Sequence, residues 1–158
     1  MKNTTFRFAK KEDTLLILEF IKELAIYEKM ENLVVADKET IANWLFDKGR
    51  AEVIFALEDG KEVGFVLFFH NFSTFLGRAG IYIEDLFVKP EFRKRGHGKG
   101  LIKEVARICV ERNCGRLEFC CLDWNKPSID FYLSLGATPL NDWTTYRFEG
   151  QSLSNLLK

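Results

Sequence analysis

Apolar and polar residues change their period several times along the chain, and each change marks an element. Residues 4–9 alternate, with Phe6 and Phe8 against Arg7, as a half-buried strand does. Over 11–29 the period becomes helical. Thr14, Ile17, Ile21, Leu24 and Ala25 share a face, and Glu12 and Asp13 fall in the first turn, where the helix dipole favours acids. A shorter helix over 37–46 follows a cap at Asp37. Strands over 52–57 and 62–70 flank Glu58-Asp59-Gly60-Lys61, and Asp-Gly marks a tight hairpin. Residues 72–78 read as a loop and 80–88 as a long, mostly apolar strand. Leu101, Ile102, Val105, Ala106, Ile108 and Cys109 form the apolar side of a helix over 98–112. A strand over 116–122 and a helix over 126–135 follow, the helix closed by Gly136 as its C′ residue. A strand over 144–148 and a short helix over 152–157 end the chain. This order predicts an α/β (α+β) architecture, a mixed sheet with helices on both faces.

Length and composition narrow the class. At 158 residues the chain reads as one domain over 1–158, with no repeat and no linker-like stretch. A hydrophobic fraction of 47% and a charged fraction of 29% suit a soluble globular protein. Residues 1–11 show no targeting signal, and the longest apolar run, 63–69, is too short to cross a bilayer. The expectation is a cytoplasmic protein with no membrane partner. All four cysteines lie between Cys109 and Cys121, so they staple nothing distant and read as reduced thiols. Their spacing, with no nearby His, is a poor match to a zinc site, and no metal is expected. Adjacent Cys120 and Cys121 would point to opposite faces of a strand.

Net charge is zero, which argues against a general nucleic-acid binder and against an acidic disordered chain. The zero conceals a separation. Residues 89–103 carry a net +5 and the rest −5, while 12–31 hold six acids against two bases. The basic stretch contains Val88-Lys89-Pro90-Glu91-Phe92-Arg93-Lys94-Arg95-Gly96-His97-Gly98-Lys99-Gly100, between a strand and a helix. Glycines let backbone N–H groups approach a ligand, the helix N-terminus adds positive potential, and Arg93, Lys94, Arg95 and Lys99 add charge. These are the parts of a pyrophosphate cradle. A Walker loop fails because Lys99 is followed by Gly100, and a dinucleotide fingerprint fails because its third glycine position is Leu101.

Arg93-x-x-Gly96-x-Gly98 resembles the acetyl-CoA-binding motif of the GNAT superfamily of N-acetyltransferases. The order of elements is similar from end to end. Within the superfamily the chain resembles the spermidine/spermine (diamine) N-acetyltransferases and their thialysine-acetylating relatives. The segments that carry this likeness are Ile21-Lys22-Glu23-Leu24-Ala25-Ile26-Tyr27-Glu28, Tyr82-Ile83-Glu84-Asp85-Leu86-Phe87-Val88, and Asp123-Trp124-Asn125-Lys126-Pro127-Ser128-Ile129-Asp130-Phe131-Tyr132 with Gly136-Ala137.

The resemblance implies a GNAT fold with a mixed sheet of about six to seven strands. It implies acetyl-CoA as co-substrate, a small-molecule amine as acceptor and a homodimer, without nucleic acid. Leu86, Phe87 and Val88 would lie beside the pantetheine arm, where the fourth and fifth strands splay. The main chain through Lys94, Arg95, Gly96, His97, Gly98 and Lys99 would wrap the pyrophosphate, opened by Arg93. Asn125, Lys126, Pro127 and Ser128 would complete the cofactor site. Tyr132 would be the general acid, and Glu84 would bind the amine and draw off its proton through water. Tyr27, Glu28 and Asp85 would contact substrate, as would Glu118, Phe119 and Cys120, mainly through backbone.

The chemistry of these residues agrees. A departing thiolate needs a proton, and a tyrosine hydroxyl can donate one. Asn125 and Tyr132 are seven residues apart, so both face one side if Asn125 begins the helix. Phe131 reads as its core-facing neighbour. An alkylammonium, with a pKa of about 10.4, must lose a proton before it attacks. Carboxylates at Glu84 and Asp85 in an apolar strand need a cleft or a partner. No cysteine nucleophile is required, so attack is expected to be direct in a ternary complex. Residues 71–78 depart from the mammalian-type pattern, with Phe75 where a Trp-Ile-Gly-like segment stands, and Asp142-Trp143-Thr144 replaces Glu-Gly-Trp. Substrate range is therefore open. The alternatives are a GNAT enzyme acting on an antibiotic or protein amine, and a non-catalytic acetyl-CoA-binding module.

Overall fold

The computed structural model describes residues 3–158. Met1 and Lys2, which open the stretch read for targeting, lie outside the described residues. The chain falls into two compact units divided between Cys120 and Cys121.

The first unit is a five-stranded sheet in the order β1-β2-β3-β4-β5. Its strands are β1 (Thr4–Phe8), β2 (Glu52–Glu58), β3 (Lys61–Ser73), β4 (Arg78–Val88) and β5 (Leu117–Phe119). The first four pair antiparallel and β5 joins β4 in parallel, so the sheet is mixed, as expected. Helices α1 (Thr14–Tyr27) and α2 (Lys38–Ala42) cover one face. Helix α3 (His97–Glu111) covers the other. Strand alternation builds both cores. Val53, Phe55, Phe65 and Phe87 meet Ile17, Phe20 and Leu24 of α1. Ile54, Ala56, Val66, Phe68, Ile81 and Ile83 meet Leu101, Val105 and Ile108 of α3.

Local signals account for most boundaries. Asp37 caps α2, its carboxylate accepting from Thr40 N–H at 2.8 Å. Beyond Ala42 the helix widens into a π turn over Asn43–Asp47. Asp59 and Gly60 both have positive φ, the backbone of the tight hairpin that Asp-Gly predicts. The β3–β4 hairpin runs further than the loop read over 72–78 implies, because main-chain pairing continues to Ser73↔Arg78. Gly80 lets Asn71 and Arg116 close in: a Cβ there would lie 2.5 Å from Asn71 Oδ1.

The second unit holds α4 (Lys126–Ser134) and α5 (Gln151–Asn155). Asn125 Oδ1 accepts from Ser128 N–H, which starts α4 at the expected residue. Gly136, at φ +92°, ends it, with Ala137 N–H donating to Tyr132 C=O at 3.2 Å. Phe131 and Tyr132 are both half-buried, with ring centroids 5.3 Å apart.

Two expectations need correction. Among the described residues the sheet has five strands rather than six or seven, because 144–148 forms no strand and Tyr146 and Phe148 are exposed. Alternation permits a strand there, but a strand needs a partner for its ladder bonds. β5 ends at Phe119, short of residue 122, so Cys120 and Cys121 lie beyond the strand. Among the described residues no helix is long and apolar enough to cross a membrane.

Candidate active site

Register places the chemistry. Opposite β3, Leu67 pairs with Asp85 and Phe68 with Ile83, leaving Glu84 as the extra residue of a β-bulge. A bulge re-aims its side chain and bends its strand. Without it, Glu84 and Asp85 would point to opposite faces. With it, Glu84 is exposed and Asp85 half-buried, and the two carboxylates interact. β5 pairs with β4 at Ile81, Tyr82 and Ile83, so among the described residues no strand pairs with Leu86, Phe87 and Val88 on that edge.

An acidic cluster forms around the bulge. Burial pushes the Asp85 carboxyl up to about 7, and the charges of Glu84 and Glu28 add to the effect. Glu28, the C-cap of α1, is raised by burial and by Glu84. Beside it, the Tyr27 ring lies 6.4 Å from Phe87, and the Arg93 guanidinium sits 4.6 Å over Tyr27. Arg93 Nε also donates to Val88 C=O at 2.8 Å, tying the loop after β4 to the strand. Along the same strand, Tyr82 O–H donates to Cys120 Sγ at 3.0 Å. Burial and this contact push the Tyr82 phenol well above its ordinary range. Glu118 is held by Arg116 at 2.7 Å and by Asn71 Nδ2 at 3.1 Å. Several negative groups near aromatic walls suit a small cation.

The loop between β4 and α3 forms a second, oppositely charged region. Lys94, at φ +62°, and Gly96, at φ +89°, are both left-handed. Such turns aim successive N–H groups to one side and make a concavity for anions. No side chain caps the N-terminus of α3 at Gly96, and the first N–H groups of a helix have no intrahelical acceptor. Gly100 serves packing instead: a Cβ there would meet Phe6 at 2.5 Å. Lys94 and Lys99 are exposed, but the Arg95 and His97 side chains turn away to Glu58. Glu58, seen in sequence only as the start of a turn, is therefore a member of this region that the pattern did not reveal. An uncapped helix end behind a left-handed loop fits a pyrophosphate, and the open β4 edge fits an extended amide-bearing arm.

The first unit thus brings together Tyr27, Glu28, Glu84, Asp85, Glu118 and Cys120 near one stretch of sheet, and the 93–99 loop follows the same strand. Phe119 is half-buried against the α3-side core. Asn125, Lys126, Pro127, Ser128 and Tyr132 stand on the start and body of α4, in the second unit. Asn125 is buried, and Lys126 pairs with Asp130 at 3.0 Å.

Residues 18–137 match the family described as "Acetyltransferase (GNAT) family". A thialysine N-epsilon-acetyltransferase from Sus scrofa is 36% identical over 99% of this chain and 98% of its own. An L-ornithine N5-acetyltransferase from Arabidopsis thaliana is 29% identical over 96% of this chain and 87% of its own. Among solved structures, an integron cassette protein from the mobile metagenome of V. cholerae superposes with a TM-score of 0.82 at 29% identity, covering 98% of each chain.

Proposed function

The chain belongs to the GNAT acetyltransferase family and is an N-acetyltransferase, and from that premise we propose that it moves the acetyl group of acetyl-CoA to a primary amine of a small cationic substrate, a polyamine, diamine or thialysine-like compound, by direct attack in a ternary complex. The observation that carries the reading is the bulge at Glu84, which sets a cluster of carboxylates beside the open edge of β4. Relatives named for thialysine and ornithine support an acceptor with a terminal amine on a short chain.

In this reading acetyl-CoA supplies an activated acyl carbon, and the protein supplies position and proton transfer. N–H groups from Lys94 to Lys99 bind the pyrophosphate, and Leu86, Phe87 and Val88 offer main-chain groups to the pantetheine arm. Glu28, Glu84 and Asp85 attract the ammonium, with Tyr27 as a wall. Glu84, which is exposed, accepts the amine proton through water, leaving a neutral nitrogen to attack. Tyr132 gives a proton to the departing thiolate. Asn125 to Ser128 complete the cofactor site by fixing the start of α4. We read 1–158 as a single catalytic domain, since the family match over 18–137 runs across the division at Cys120. The cytoplasm is part of the reading, since four cysteines crowded into residues 109–121 suit a reducing compartment. A homodimer is part of the reading, and a monomeric mass by light scattering would refute it.

The test is an initial-velocity study with acetyl-CoA varied against each member of an amine panel. Intersecting lines with a short-chain diamine or thialysine support the reading. Parallel lines, the sign of a covalent acyl-enzyme, would refute the ternary complex.

A further inference from the structure

Glu58 ends β2, next to the hairpin that starts β3, and its carboxyl group is 3% exposed. Two residues on either side of Gly96 reach it. Arg95 donates to Oε1 at 2.7 Å, and His97 Nε2 lies 2.7 Å from Oε2. His97 is itself buried, and its other ring nitrogen stands 3.5 Å from Thr4 Oγ1 on β1. Thr4 is the register partner of Glu58, so the contact closes within one strand pair. The Arg95 guanidinium also lies 5.2 Å over the Phe92 ring, at the entry to the loop.

A carboxylate this buried is costly unless it is paired and hydrogen-bonded. Here two residues of the loop it underlies, Arg95 and His97, both pair with it. Both arms belong to residues flanking the left-handed Gly96, so the carboxylate fixes the loop on each side of its sharpest turn. It also holds both side chains on itself, His97 buried and Arg95 still partly exposed, rather than leaving them free to point at a ligand. We infer that Glu58 is a positioning residue for the anion cradle: through Arg95 and His97 it holds the 94–99 main chain in the conformation that receives the pyrophosphate. The inference rests on the acetyl-CoA reading above.

The direction of the effect separates positioning from charge. Removing a negative group near an anion site would tighten anion binding by Coulomb attraction alone. Loss of the latch does the reverse. The experiment compares the full-length chain with Glu58→Gln in CoA titration by calorimetry. It also compares steady-state kinetics with acetyl-CoA and with S-acetylpantetheine, which lacks the pyrophosphate. CoA is expected to bind roughly ten- to a hundredfold more weakly to the variant, with the KM for acetyl-CoA raised in step. The kcat, the amine KM and turnover of S-acetylpantetheine are expected to hold within about twofold. A folded variant, judged by its melting transition, that binds CoA as well as or better than the parent overturns the inference. If Glu58→Gln does not fold, Glu58→Asp takes its place. It keeps the charge but shortens the reach, and undiminished CoA affinity there overturns the inference equally. A parent chain that binds no CoA overturns the acetyl-CoA reading and this inference with it. A parent that binds CoA beside an unaffected variant overturns the inference alone.

Discussion

Asp85→Asn is expected to stabilise the folded chain near and above neutral pH and to leave it nearly unchanged in acid. Burial in the wall of the acidic cluster, then the charges of Glu84 and Glu28, lift this carboxyl from 3.8 to about 7. The folded state therefore holds a proton that the unfolded state has released. Stability from such a group is fully present below 3.8 and is lost as pH rises through about 7. A shift of about three units corresponds to at most about 4 kcal/mol at pH 8. Asparagine keeps the shape and cannot ionise, so the variant escapes that loss. For a chain of this size the gap in melting temperature should reach up to roughly ten degrees at pH 8 and close near pH 4. Calorimetric melts of both proteins across that range measure it. A diamine added at pH 8 supplies the missing cation and should narrow the gap by stabilising the parent more. A gap that does not change with pH would refute the argument, since it would mean that Asp85 is no harder to ionise folded than unfolded.

Other substitutions separate the roles. Tyr132→Phe should lower kcat by about a hundredfold or more while acetyl-CoA still binds, and near-normal turnover would remove Tyr132 from its role. Glu84→Gln should lower kcat/KM for the amine by a similar factor, most at lower pH where the amine is most protonated; an unchanged pH–rate profile would count against a proton-accepting role. Changing both Cys120 and Cys121 to Ser should leave most activity, and an acetyl-cysteine found by mass spectrometry would contradict direct attack. Gly100→Ala drives a methyl to within 2.5 Å of Phe6 and should destabilise the chain by about 1–3 kcal/mol in denaturant titration.

Much of the fold is legible because local chemistry and tertiary contact agree. Asp37, Asp59-Gly60, Asn125 and Gly136 each do in the structure what their residue type suggests. The stretch 144–148 shows the limit. Its alternation says only that a strand would have two faces, and the ladder partner that makes a strand is not encoded within five residues. The site divides in the same way. The unusual pair Glu84-Asp85 in an apolar strand is visible in sequence, but the bulge that reconciles it with a sheet depends on the register with β3. Arg95 and His97 look like ligand-facing charge by position. Their turn toward Glu58 follows from the hairpin bringing β2 under a loop nearly forty residues further on, a contact that no local pattern carries.

The most direct test of the account is product analysis after incubating the chain with acetyl-CoA and an equimolar mixture of spermidine, thialysine, ornithine, an aminoglycoside and a peptide with a free N-terminus. The account predicts a singly acetylated short-chain amine appearing in step with free CoA, with the aminoglycoside and peptide unmodified. Acetylation of the aminoglycoside or peptide alone, or tight CoA binding with no acetylated amine, would contradict it.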